Sequence, residues 1–359
     1  MAGELPRLKR ISAKSKPEVA PEEILYTDTD RSGDTLDPDL SSWWWYDSGF
    51  RPKGRNWPLI WAYIIEGGGS TKTTSATSMA VIAALDGYPG VVFDLDSNMS
   101  ATTVLGYDET ALKGKKTAID LLYGRATLDE VALPARYRVG DGDGDGDDPE
   151  EDFEPIENLR VVPGSPAMAD ADRAIAEDAD RNDWFAEILH SYKGDEAVFY
   201  LDFPASYGRM PSSVLRMLDE EDSVIPSIKA DPKAVKLVKR LTDELERVRD
   251  KNCGSRSVPG RPTLKRLILT GTQPLTWPEQ VAARRGTAAA EAMYSSVLLP
   301  YIRYSADAEK IYEDAVPLPI LLPNSVASVD YREVTRCMWI VPYLNECGCD
   351  YCPEPGAPV

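Results

Sequence analysis

Between Leu59 and Thr272 short apolar runs alternate with longer stretches of helical spacing. The runs LIWAYII, GVVFDLD, NLRVVPG, AVFYLDFP, SVIPSI and LKRLILTGT are bounded by turn residues, which predicts buried strands. Between them lie TTSATSMAVIAALDG, DADRAIAEDADRNDWFAEILHSY, KAVKLVKRLTDELERVRDK and PEQVAARRGTAAAEAMYSSVL, whose spacing or composition predicts helices. Strand and helix in alternation imply a mostly parallel sheet covered by helices on both faces, an α/β three-layer sandwich. There is no internal repeat.

The flanks follow a different pattern. Residues 1–56 are polar and Pro-rich without periodicity, and read as a disordered arm with a basic start (Arg7, Lys9, Arg10, Lys14, Lys16) and a Trp-rich lead-in, SSWWWYDSGF. Residues 343–359 form a short tail carrying CGCDYC. The domain itself is expected over 57–342, interrupted by an exposed acidic insertion loop at 140–155, since Gly-Asp repetition has nothing to bury.

Composition sharpens this picture. With 359 residues and 43% apolar content, the chain can fill a sizeable core. Its net charge of −19 argues against a protein that simply coats nucleic acid or an anionic membrane. Nine of the acids crowd into Gly140–Glu154, and without that block the remainder is −10. Neither a signal-peptide core nor a run long enough to span a bilayer is present, so a cytoplasmic location is expected.

The segment IIEGGGSTKTTSATSMA joins the first predicted strand to the first predicted helix. A phosphate loop needs small residues whose N–H groups turn inward, a lysine for the terminal phosphates, and a hydroxyl immediately after it for Mg²⁺. Gly68, Gly69, Ser70, Thr71, Lys72, Thr73 and Thr74 supply those types in that order. The strict GxxxxGK[ST] pattern fails, because Glu66 stands at its first glycine and Thr71 at its second. Two further strand ends carry carboxylates: Asp94 and Asp96 close one, and Asp202 closes another. At the carboxyl edge of a parallel sheet these would lie beside bound phosphates.

In this combination the chain resembles the ParA-type partition ATPases of the MinD/ParA group of deviant Walker P-loop proteins. GGSTKTTSA is similar to that family's GGxGKTT loop, VVFDLDSNMSATTVLG to its second acidic motif, AVFYLDFPASYG to its Asp-x-Pro-Pro strand, and DSVIPSIKADP to the strand after it. The similarity runs from about Leu59 to Met338. It implies ATP and Mg²⁺ as cofactors, with Lys72 on the β- and γ-phosphates, Thr73 on Mg²⁺ and Asp202 holding the metal through water. Asp94 would brace the loop, and Asp96 would orient or activate the attacking water. It also implies an ATP-gated homodimer, non-specific DNA binding, a nucleoid-associated location, and slow hydrolysis stimulated by a ParB-type partner, in the service of plasmid or chromosome partition. One departure is pronounced: a second lysine before the paired glycines reaches the partner's phosphates in this family, and Gly67 occupies its place.

DNA binding by an acidic protein calls for a local basic surface. Residues 229–266 hold twelve Lys/Arg and five Asp/Glu, a local excess of +7. Lys236, Lys239, Arg240, Arg247, Arg256 and Arg261 are the candidates for phosphate contacts there. The single histidine, His190, reads as a packing or surface residue. Cys347, Cys349 and Cys352 could offer three thiolates to Zn²⁺, with Cys337 or a dimer mate supplying a fourth ligand. That cluster motivates one alternative, an iron-sulfur or metal carrier ATPase. A second alternative is a module that binds ATP only to dimerise. A membrane-anchored switch would end in a basic amphipathic helix, whereas this chain ends in CPEPGAPV.

Overall fold

The computed structural model describes residues 56–67, 71–139, 152–219, 221–252, 261–273, 276–306 and 310–344. The predicted arm up to residue 55, residues 140–151 of the acidic run and the cysteine tail from residue 345 lie outside the described residues. The first unit runs β1 (Leu59–Tyr63), α1 (Lys72–Leu85), β2 (Gly90–Asp94). Short helices α2 (Ser100–Val104), α3 (Ala118–Leu122) and α4 (Leu128–Val131) lead to a hairpin of β3 (Leu133–Arg138) and β4 (Phe153–Val162). Then come α5 (Ala171–Glu177), α6 (Trp184–Ser191), β5 (Val198–Asp202), α7 (Arg209–Leu215), β6 (Ser223–Val224) and β7 (Ser227–Lys229). The chain continues with α8 (Pro232–Asn252), β8 (Ile268–Thr270), α9 (Trp277–Tyr294), α10 (Lys310–Asp314), α11 (Leu318–Leu321) and α12 (Val326–Leu344).

The main sheet has the order β3-β4-β2-β5-β1-β6, and β7 pairs with β8 beyond it. All pairings are parallel except that of β3 with β4. β5 is central, flanked by β1 and β2, which both run beside it in the same direction. Alternation sorts the side chains of these strands into two cores. Ile60, Ala62, Val91, Phe93, Phe199 and Leu201 face one layer of helices, including α7 and α8. Trp61, Tyr63, Val92, Val198 and Tyr200 face the other, where α1 and α12 pack. This is the three-layer, mostly parallel α/β sandwich that the alternation of runs predicts.

Local chemistry explains where elements begin and end. α8 buries Val235, Val238, Leu241, Leu245 and Val248, a stripe at helical spacing, and turns its charges outward. SVIPSI is split into β6 and β7 at Pro226, which has no N–H to give a ladder. The chain crosses there from β1 to β8, with the Ile268 N–H donating to the Pro226 carbonyl at 3.0 Å. The predicted helix over DADRAIAEDADRNDWFAEILHSY is interrupted, since Asp178 adopts an extended backbone (φ −139°) and its carboxylate accepts from the Asp180 N–H. β3 has no counterpart among the predicted strands. Its sequence, LPARYR, carries a proline, which an edge strand tolerates. Phe153 to Pro155, which the sequence pattern places in the acidic loop, belong to β4. There Arg136 lies over the Phe153 ring at 4.3 Å, and the Tyr137 hydroxyl donates to Glu154 at 2.6 Å.

Candidate nucleotide-phosphate site

β1, β2 and β5 end at one level, and their register sets the site. Tyr63 and Asp94 are each the in-register neighbour of Asp202, so two acidic strand ends lie side by side at the carboxyl edge of the sheet. The helix that follows β1, α1, has Lys72 as its first residue. Gly68, Gly69 and Ser70 lie outside the described residues; Gly67 and Thr71 bracket them.

Asp202 is completely buried, as is Asp94, while Lys72 is 6% exposed. The Thr73 hydroxyl donates to Asp202 Oδ2 at 2.6 Å. Among the described residues Asp202 Oδ1 has no hydrogen-bond partner. Burial, and next the neighbouring Asp94, raise the Asp202 pKa, against which the Thr73 hydrogen bond and Lys72 act. Burial lowers the pKa of Lys72, with Asp202 and Asp96 opposing that shift. A buried carboxylate with an unmet lone pair, a neighbouring acid and a hydroxyl in contact is short of positive charge. A hard divalent cation with oxygen ligands meets that need, so Thr73 and Asp202 fit Mg²⁺.

Asp94 has a different set of contacts. Its Oδ2 accepts from the Thr102 N–H at 2.8 Å and the Thr102 hydroxyl at 2.7 Å, and its Oδ1 accepts from the Asp96 N–H at 3.2 Å. Asp94 therefore ties down the segment leading into α2. Burial raises its pKa, and the Thr102 bonds oppose this. Gly164, just beyond β4, completes the arrangement: its N–H donates to the Thr102 hydroxyl at 2.8 Å, and a Cβ there would sit 3.0 Å from the Asp94 carboxyl carbon. Asp96 is partly exposed and accepts from the Asn98 N–H at 3.0 Å.

The two departures in the loop have local explanations. Thr71 has φ −92°, a conformation any residue adopts, so no glycine is required there. Its hydroxyl lies 2.7 Å from Ser227 Oγ and 3.0 Å from Thr270 Oγ1, and Ser75 Oγ meets both Ser227 Oγ (2.7 Å) and the Tyr331 hydroxyl (2.9 Å). Gly67 has φ +108°, and a Cβ on it would sit 3.1 Å from Leu237 Cδ1 of α8. A glycine suits that backbone; a lysine would be strained.

Thr102, Gly164, Ser227, Thr270 and Tyr331 are absent from the sequence-derived set. Apart from Thr102 with Asp94, eight residues away, they act by contact across more than 25 residues, and only the Pro-Gly step that closes the third apolar run hinted at a close approach.

Of the predicted DNA contacts, Lys236, Lys239, Arg240, Arg247 and Arg261 are exposed, the first four on α8, and Arg256 lies outside the described residues. Three of them are paired with acids: Lys239 with Asp243 (3.0 Å), Arg240 with Glu66 (3.1 Å) and Arg247 with Glu244 (2.8 Å). His190 is exposed and meets the Trp57 ring edge-on at 6.1 Å. Cys347, Cys349 and Cys352 lie outside the described residues, and Cys337, on α12, is buried in the apolar core shared with α1. Among the described residues no three His, Cys, Asp or Glu side chains form a metal-binding group, and no helix is long and apolar enough to cross a membrane.

A buried lysine at a helix start, a threonine hydroxyl on a strand-end aspartate and a parallel sheet with β5 between β1 and β2 define a P-loop protein. A family model described as an AAA domain matches residues 60–256. The chain belongs to that family, within the MinD/ParA group of P-loop ATPases. Solved structures share the fold at low identity. Cobyrinic acid a,c-diamide synthase from Mycobacterium smegmatis, with a bound ATP analogue and magnesium, is 18% identical with a TM-score of 0.61, over 83% of this chain and 100% of that one. A plasmid partition protein candidate from Borrelia burgdorferi B31, bound to AMPPNP, is 15% identical with a TM-score of 0.59, over 80% and 100%. The septum site-determining protein MinD from Pyrococcus horikoshii OT3, complexed with Mg-ADP, is 18% identical with a TM-score of 0.56, over 82% and 100%. A search of curated proteins finds no match to the sequence.

Proposed function

We propose that this chain is a Mg²⁺-dependent ATPase of the partition type, which dimerises on binding ATP, holds DNA non-specifically in that state, and lets go after slow hydrolysis stimulated by a ParB-type partner. The observation that carries the nucleotide part is the Thr73–Asp202 contact beside buried Lys72, with one Asp202 oxygen left unmet. Lys72 supplies the charge that meets the terminal phosphates, and Thr73 and Asp202 hold the metal. Mg²⁺, when bound, neutralises phosphate charge and steadies the leaving group. Asp96, partly exposed beside the buried acids, orients the attacking water. Asp94 keeps Asp96 in place through the Thr102 and Asp96 backbone contacts, and so acts as a positioning residue. Phosphoryl transfer asks mainly for such placement and charge balance.

Calorimetry on the intact chain tests the nucleotide reading. Mg-ATP binding is expected in the wild type and a loss of at least a hundredfold in Lys72→Ala; equal affinity in the two would reject it. The DNA reading rests on Lys236, Lys239, Arg247 and Arg261 with Arg256, and on the family relationship. With ATP present, duplex binding independent of sequence should weaken by about a hundredfold between 50 and 200 mM salt if roughly four phosphates are engaged. Binding that ignores ATP, or none at all, removes DNA from the proposal.

A further inference from the structure

The mouth of the phosphate segment carries an acid, Glu66, where an anionic ligand is to be bound. Glu66 is 42% exposed, and its carboxylate accepts from Arg240 at 3.1 Å. Two contacts hold this point of the chain against its surroundings: the Glu66 N–H donates to the Tyr207 hydroxyl at 3.1 Å, and Gly67 sits on Leu237. Leu237 and Arg240 are three residues apart on α8, so the same helix face that packs on Gly67 delivers the guanidinium to Glu66. Arg240 is 67% exposed, which leaves it a long side chain fixed by one screened ion pair. Such a pair is weak and readily exchanged.

We propose that Arg240 contacts the bound polyphosphate, leaving Glu66 for a phosphate oxygen when ATP enters, so that the Glu66–Arg240 pair is the empty-site state of an ATP-sensing exchange. The inference rests on the ATP reading above. Its physical ground is charge. Among the described residues Lys72 is the cation that acts on Asp202 and Asp96 at the sheet edge, and a triphosphate adds several negative charges. Guanidinium pairs with phosphate through two parallel N–H bonds, which a single carboxylate oxygen at 3.1 Å does not match. Because ATP carries one more negative charge than ADP, the exchange favours ATP. It also withdraws Arg240 from the residues available to DNA, and it couples α8 to the state of the nucleotide through the Leu237–Gly67 contact.

The test is calorimetry of Mg-ATP and Mg-ADP with the intact wild type, Arg240→Gln, Arg240→Lys, Glu66→Gln and Lys72→Ala. Arg240→Gln should weaken ATP at least tenfold and ADP less than threefold, with Arg240→Lys in between. Glu66→Gln, which frees the guanidinium, should tighten ATP about threefold. A structural ion pair would instead make Glu66→Gln and Arg240→Gln equally harmful, and that result overturns the proposal. So does an ATP-to-ADP ratio unmoved by Arg240→Gln while Lys72-dependent ATP binding persists. A wild type with no nucleotide affinity overturns the ATP reading and this inference together.

Discussion

Gly67 shows how one residue's backbone can forbid a charge. At φ +108°, with Leu237 3.1 Å from where a Cβ would stand, a side chain strains both the torsion and the packing of α8. Gly67→Lys should therefore lower stability by about 1–2 kcal/mol, seen as a fall of a few degrees in Tm, rather than create a more active enzyme. Thr71 is the opposite case: a side chain replaces a glycine at ordinary φ, and three hydroxyls from separate elements converge on and around it. The residue types of the loop were legible in the sequence, because lysine followed by threonine after a glycine run has few other uses. The reasons for the two departures were not, since φ at residue 67 and the Ser227 and Thr270 hydroxyls are set by elements far along the chain.

Among the elements, the buried strands were the most readable. Each is short, apolar and bounded by turn residues, and β1, β2 and β5 are fully buried because both faces of the sheet are covered. β3 was unreadable for the matching reason: an edge strand paired on one side can carry Pro134, Arg136 and Arg138. The segment between α9 and α10 gains its anchor from another element. There Arg303 makes a two-oxygen pair with Asp330 of α12, at 2.6 and 2.9 Å, and the Arg303 N–H donates to the same carboxylate at 2.8 Å. Asp330 is 8% exposed, so Arg303→Ala should strand a mostly buried charge and cost on the order of 2 kcal/mol, measurable by urea unfolding.

At the scale of the molecule, the charge and the site pull apart. A chain of net charge −19 collects Asp94, Asp96 and Asp202 at one sheet edge, where an anionic ligand is proposed to bind. Register explains why this works: the acids come from strands that the ladder forces together, and Lys72 and Thr73 are brought to them by the helix that follows β1. The strand order, with β5 inserted between β1 and β2, is what no run of residues reveals. It appears only in the ladder, where β1 and β2 each pair with β5. The arm and the cysteine tail remain readings of sequence alone.

The Ser75–Tyr331 contact joins residues 256 positions apart, and Tyr331, Val334 and Met338 roof the helix that begins with Lys72. Translation therefore delivers the floor of the pocket long before its roof. A polypeptide stopped after Ser325 should be degraded quickly by added protease and take up no ATP, while the finished chain resists and loads. On this view the nucleotide site becomes usable only once α12 has been made.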